Sequence, residues 1–431
     1  MAQLQAYEQY QPIDYDYVKQ LPVDWRLLPN IAIFQERIER GHSNEELLSV
    51  TIGKGVIRQT EVDIKKDSSN EDKSKYKLIK VGDIAYNKMR MWQGALGYSD
   101  YQGISSPAYI ILKPTRKINP RYFHYMFRSP FYTNYSKRFS YGIVDDQLSL
   151  RYTDFKRMYS IVPPLDTQNR IVEYLDKKNN EIDRFIRNKE RLIYLLEISR
   201  KRKIFDAITK GINQGIGLKD SCIEWFGYVP KHWIVTRAKV ISKVFVPDRN
   251  KPELNLEKNG IPWVTTEVIG EEVLDEETLS NYVSRKSFKE IENRALPKNS
   301  IVATCVGSFG ISSFVTFECF INQQLQAYTE LKINPYYLRY IIQSSEVYFN
   351  KFSTQTTLMY VNKKTFAELP VLCPPIDEQN QIIDFIKHEV SGINLAISKA
   401  QQEITAIKEY REALITDLVT GKRCLPPSIP K

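Results

Sequence analysis

Residues 163–209 return without a gap 211 positions further along the chain, at 374–420, with 13 identities over 47 aligned positions. Unrelated segments of ordinary composition would share roughly three, so an internal duplication is the first constraint on the fold. Pro163-Pro164-Leu165-Asp166-Thr167-Gln168-Asn169 becomes Pro374-Pro375-Ile376-Asp377-Glu378-Gln379-Asn380, and the register holds to Thr209/Thr420. Weaker echoes join Pro22…Trp25 to Pro230…Trp233 at an offset of 208, and Ile118-Asn119-Pro120 to Ile333-Asn334-Pro335 at 215. The offset drifts inside the segments before each copy but not within the copy itself. Two copies make a two-fold molecule, not a solenoid, with a spacer whose length matters between modules whose content differs.

Within each copy the apolar residues recur as a coiled-coil seam. In the second copy Ile383, Val390, Ile397, Ile404, Arg411 and Leu418 occupy a, and Ile386, Ile393, Ala400, Ile407 and Leu414 occupy d. The first copy is more polar, with Asn179 and Arg200 at a and Lys189 and Lys203 at d. Such residues weaken a self-sufficient pair and call for an answering partner. A Pro-Pro-x-Asp start and a terminal glycine, Gly211 or Gly421, bound each helix. About 44 residues make a rod of about 65 Å. The economical arrangement packs the two rods antiparallel with the modules at opposite ends.

The expected division is a first module over 1–162, a spacer helix over 163–212, a second module over 218–372 and a second spacer helix over 373–422. At 431 residues the chain holds more than one core. Both modules read as mixed α/β: short β-rich runs such as 108–112 and 301–306, then a helix beginning at each Asn-Pro, with Asn119 or Asn334 as its cap. The fold class is therefore α/β modules plus long helices, with a pseudo-two-fold repeat.

A net charge of +10 favours a polyanion partner. In the first module Asn87, Lys88, Arg90 and Gln93 are side chains that pair with base edges and phosphates, and nearby glycines allow close backbone approach. A solvated β-hairpin is the plainer account of the same run. The counterpart expected in the second module is Asn322-Gln323-Gln324, an amide cluster suited to adenine, or equally a polar loop satisfying its own backbone. Tyr141 and Thr356, just before the rods, are weaker contact candidates.

Catalytic signatures are lacking. Asn334-Pro335-Tyr336-Tyr337 looks like the motif of adenine methyltransferases, but its twin Asn119-Pro120-Arg121-Tyr122 makes a helix cap the better reading. No phosphate-binding glycine loop is present, and the four histidines match no metal-ligand spacing. The scattered cysteines point to reduced thiols and, with no apolar run of membrane length, to a cytoplasmic protein.

Two recognition modules alternating with two homologous helices closely resemble the specificity subunit of type I restriction-modification systems. The marks are Pro163-Pro164-Leu165…Gln168 and Pro374-Pro375-Ile376…Gln379, Trp225-Phe226-Gly227-Tyr228-Val229-Pro230 opening the second module, and Gly82-Asp83-Ile84…Gly94-Ala95 in the first. The first half departs from the usual opening, with Tyr10-Gln11-Pro12-Ile13-Asp14-Tyr15 where a Trp-x-Gly element normally stands.

The resemblance implies two target recognition domains that each read half of a bipartite, asymmetric sequence in double-stranded DNA. It also implies helices that dock two modification subunits, for which Gln168, Arg200, Gln379 and Arg411 are the candidate contacts. S-adenosylmethionine would act through those subunits, and ATP and Mg through restriction (translocase-nuclease) subunits; the chain itself would be non-catalytic, without metal and without membrane contact. The alternatives are a stand-alone bipartite DNA-binding regulator and a coiled-coil scaffold. The first predicts tight specific binding without partners, the second no sequence preference.

Overall fold

The computed structural model describes residues 4–62, 73–142, 147–213, 215–248, 254–255, 260–283, 295–354 and 358–426. Two compact units emerge, one of residues 1–189 with 402–431, the other of residues 190–401. Among the described residues, no helix is long and apolar enough to cross a membrane.

The first unit opens with the hairpin β1 (Tyr10–Tyr15) and β2 (Val18–Pro22), then β3 (Arg26–Pro29), β4 (Phe34–Glu36), β5 (Leu48–Thr51), β6 (Gly55–Arg58) and β7 (Lys77–Ile79). It continues through β8 (Ile84–Asn87), β9 (Leu96–Tyr98), β10 (Gly103–Ser105), β11 (Tyr109–Pro114), α1 (Pro120–Arg128), α2 (Pro130–Phe139), α3 (Tyr152–Phe155) and β12 (Tyr159–Val162). The long helix α4 (Leu165–Lys210) begins here and ends in the second unit.

The second unit contains β13 (Leu218–Asp220), β14 (Tyr228–Pro230), β15 (Ile234–Arg237), α5 (Ala238–Ile241), β16 (Lys243–Phe245), β17 (Leu254–Asn255), β18 (Ile261–Val264), β19 (Tyr282–Val283) and β20 (Ser300–Thr304). Then come β21 (Ser312–Val315), β22 (Phe320–Ile321), β23 (Leu325–Thr329), α6 (Pro335–Ser344), α7 (Glu346–Lys351), α8 (Lys363–Ala367), β24 (Pro370–Cys373) and the start of α9 (Ile376–Val419).

Each unit is built on an antiparallel four-stranded sheet, ordered β4-β11-β8-β9 in the first and β16-β23-β20-β21 in the second. The same topology recurs strand for strand, although little of the sequence in these segments repeats. Aromatic and β-branched residues fill both faces, as suits strands covered on two sides. In the first unit Phe34, Tyr86, Leu96 and Leu112 pack against Tyr122, Phe123, Met126 and Phe127 of α1. Asn119 and Asn334 cap α1 and α6, accepting from the N–H of Arg121 at 3.0 Å and of Tyr336 at 2.9 Å. That is the helix-cap reading of both Asn-Pro pairs.

The repeated segment folds into the same joint twice. Gln168 is 2% exposed and Gln379 5% exposed. The Gln168 amide donates to the Pro163 carbonyl at 2.8 Å and accepts from the Asn119 N–H at 2.8 Å. Gln379 does the same with Pro374 at 2.8 Å and Asn334 at 2.9 Å. Each glutamine thus ties the cap of the module's helix to the Pro-Pro turn that starts the long helix. These two residues do not offer their side chains to a partner, contrary to expectation: inside a packed joint an amide has to be satisfied locally.

The far end of each long helix is gripped just as regularly. Tyr122 donates to the Val419 carbonyl at 2.9 Å, and Tyr337 to that of Ile208 at 3.2 Å. Trp25 and Trp233, both buried, lie against Gly421 and Gly211. Both glycines have φ near +72°, and a Cβ on Gly421 would come within 2.7 Å of Pro22. The unusual N-terminal opening is accommodated by the β1–β2 hairpin, whose Tyr10 hydroxyl donates to the Gly421 carbonyl at 3.0 Å.

Within each unit the two long helices run antiparallel. In the first, Asp183 pairs with Arg411 and Lys189 with Glu403. In the second, Arg200 donates to Asn394 at 3.0 Å and Lys203 pairs with Glu389. The Arg200–Asn394 and Arg411–Asp183 contacts are equivalents under the 211-residue repeat. The polar seam is therefore answered inside the chain, which removes the inference from it to an outside partner and turns Arg200 and Arg411 to register between the helices.

Replacing Gln379 by alanine strands the Asn334 N–H and the Pro374 carbonyl, at a cost of about 1–3 kcal/mol. Urea denaturation followed by tryptophan fluorescence should show the second unit weakened and the first unchanged. Gln168→Ala should reverse the pattern, and uniform destabilisation by either would contradict the joint described.

Candidate DNA-reading surface

The first candidate stretch connects β8 to β9. The Asn87 side chain accepts from the Met89 N–H at 3.0 Å, the Arg90 N–H returns to the Asn87 carbonyl at 3.0 Å, and Gly94 closes the turn at φ +82°. Met91 is buried and anchors the loop, while Arg90 and Gln93 are exposed and Lys88 half-buried. Among the described residues, neither Lys88 nor Arg90 has a carboxylate partner. Asn87 spends its carbonyl oxygen on holding the turn.

Three segments converge at this end of the sheet. The Lys88 N–H meets the Ala108 carbonyl at 3.4 Å, and the Leu150 N–H meets the Lys88 carbonyl at 2.8 Å. A backbone bridge joins Tyr141 to Ser149 and leaves the Tyr141 ring 75% exposed. In the second unit the Cys305 N–H meets the Gln324 carbonyl at 2.9 Å, the Val361 N–H meets the Cys305 carbonyl at 2.9 Å, and Thr354 bridges Tyr360. The same three-way junction is thus made from unrelated residues.

This topology corrects one expected correspondence. The counterpart of Lys88–Gly94 is Cys305–Gly310, whereas Asn322–Gln324 corresponds to Ser106–Ala108, the segment that enters the central strand. Amide content suggested the pairing, but strand order decides it. Asn322 and Gln324 bond to each other, the Gln324 N–H donating to Asn322 Oδ1 at 3.2 Å, and Thr266 donates to Gln324 Oε1 at 3.2 Å. Gln323 and Gln324 are exposed. Thr356 lies outside the described residues.

The junction also carries residues that sequence reasoning passed over. Leu358, 65% exposed, and Met359 stand on its rim in the second unit. Read in isolation they look like core side chains, so composition offers no signal for them. In the first unit His124 accepts the Tyr98 N–H on Nδ1 at 3.1 Å. Burial, with the nearby Arg128 and Arg121 guanidinium groups, holds its imidazole down at about 3. It is a neutral acceptor packed beside β9 and Gly55.

The unfolded imidazole takes up a proton near pH 6.5 and the folded one only near 3, so stability present above 6.5 is lost as pH falls through that window. Between pH 6.5 and 5 the first unit should lose about 1–2 kcal/mol through this residue. Denaturation of His124→Asn at the two pH values should show a smaller loss; identical losses would exclude the assignment.

The comparisons with known proteins fall on the same arrangement. Residues 230–406 match the family model for the type I restriction modification DNA specificity domain. That match lies within the second half of the chain, from the end of β14 into α9. The chain is 21% identical over 425 residues to a Methanocaldococcus jannaschii protein described as the type I restriction enzyme MjaX specificity subunit, covering 94% of this chain and 95% of that one.

Solved structures from type I restriction-modification systems share its fold. A structure reported for complex assembly and conformational transition of a type I system matches with TM-score 0.71 at 15% identity, over 93% of this chain and 98% of the other. The HsdS subunit from Thermoanaerobacter tengcongensis matches with TM-score 0.52 at 16% identity, over 95% and 99%.

Proposed function

We propose that this chain is a specificity subunit of a type I restriction-modification system, that it reads a bipartite, asymmetric sequence in double-stranded DNA, one half with each module, and that its long helices dock two modification subunits. The observation that supports the reading best is the repeated junction: three segments meet at the same end of the same sheet in both units, with different side chains. A common frame with variable loops is what two independent half-site readers require. In the first module Lys88, Arg90 and Gln93 supply the contacts, with Tyr141 at the edge. In the second Gln323 and Gln324 do so, from the segment that enters its central strand.

Docking on the helices is supported by apolar side chains left uncovered on α4, among them Leu192, Leu195 and Ile198. The docked subunits would bring S-adenosylmethionine and adenine-N6 methylation. Restriction subunits would add ATP- and Mg-dependent translocation and cleavage.

Co-expression with the modification subunit, followed by single-molecule mapping of N6-methyladenine, should reveal a split motif with a fixed gap, methylated once on each strand. Tight specific binding by the chain alone, with no methylation, would favour a stand-alone regulator. Arg90→Ala should cost about 1–3 kcal/mol and relax discrimination at one half-site, and Gln323→Ala should do so at the other. Equal loss at both halves from either change would refute the assignment of one module to one half-site.

A further inference from the structure

The first module places a second cationic element beside the reading loop, and a half-buried arginine fixes the two together. The turn between β5 and β6 is Ile52-Gly53-Lys54. Arg128, at the end of α1, donates to the Ile52 and Gly53 carbonyls at 2.6 and 2.8 Å, and to the Leu96 carbonyl at the start of β9 at 2.9 Å. A longer contact of 3.5 Å reaches the carbonyl of Gly94, the last turn of the reading loop. No carboxylate shares this guanidinium among the described residues; its charge is satisfied by backbone oxygens of the two elements it joins.

The attachment is close-packed as well. β6 crosses β9 at Gly55 and Gly97, where a Cβ on Gly97 would lie 2.8 Å from the Gly55 Cα. No side chain could separate the two strands. The turn is therefore rigidly seated beside the loop that carries Arg90, and Lys54 projects from it, exposed and with no carboxylate partner among the described residues.

The second module differs at the corresponding place. The turn after β18 is held by a buried arginine, Arg339, which donates to the Gly270 and Ser312 carbonyls at 2.9 and 3.0 Å. Its exposed charged residue is Glu267, an anion. The two modules share the brace and differ in the charge it presents.

We propose that the β5–β6 turn is a backbone-gripping finger of the first module, with Lys54 taking a DNA phosphate beside the bases read through Arg90, and Arg128 as its positioning residue. The inference rests on the half-site reading above. A phosphate contact carries no sequence information but sets register, and each one contributes about 0.9 to the slope of log affinity against log salt.

The test measures binding of the specificity subunit, assembled with its modification subunits, to the mapped duplex and to one with the first half-site scrambled, across a salt series. Lys54→Ala should weaken both duplexes by the same factor and reduce the salt slope by about one. Arg90→Ala should weaken only the intact duplex, and Glu267→Ala should leave the slope undiminished. With Arg128 replaced by alanine, adding Lys54→Ala should have little further effect, a non-additivity that mere destabilisation does not produce. Unchanged affinity and slope in Lys54→Ala, with Arg90→Ala still selective, would overturn the finger and leave the half-site reading standing. If neither variant alters binding, the reading loop itself is misassigned.

Discussion

The rest of the molecule depends on one buried amide, used twice. Gln168 and Gln379 each hold a module's capped helix to the turn that launches a long helix, through one donated and one accepted hydrogen bond. A buried amide left half-satisfied is costly, so the joint works as a complete set or not at all. This accounts for the repeat of Pro-Pro, Gln and Asn in the two copies: the prolines shape the turn and supply the carbonyl, the glutamine bridges, and Asn169 or Asn380 accepts from the capping asparagine.

The far ends of the helices explain why the repeat has no gaps. Each long helix starts in a joint made with its own module and finishes against a tyrosine and a tryptophan of the other: α9 at Tyr122 and Trp25, α4 at Tyr337 and Trp233. A residue inserted between a joint and the seam would rotate Asp183 or Asn394 by about 100° away from its arginine within the same unit. The loops of the modules meet no such requirement, and their offsets drift.

Much of this was legible in the residues. The duplication, the heptad seam and the antiparallel pairing followed from periodicity and spacing, and the Asn-Pro helix starts from capping chemistry. The roles of the polar seam residues were not legible. Arg200 and Arg411 looked like surfaces for a partner because a one-dimensional pattern cannot say which helix answers them; the answering residues, Asn394 and Asp183, lie roughly 200 positions away. The pairing of Asn322–Gln324 with the first module's loop failed for a related reason, since composition marks polar loops but not which strands they connect.

The sequence by itself determined that there are two modules and two homologous long helices, because repeats and apolar periods are local and survive divergence. Only the tertiary structure decided which loops meet in the three-way junction, and that Arg128 binds the Lys54 turn beside it. Those relations are made by backbone carbonyls and by glycines in contact. Neither a carbonyl's direction nor a close approach of Gly55 to Gly97 has any signature in the order of residues.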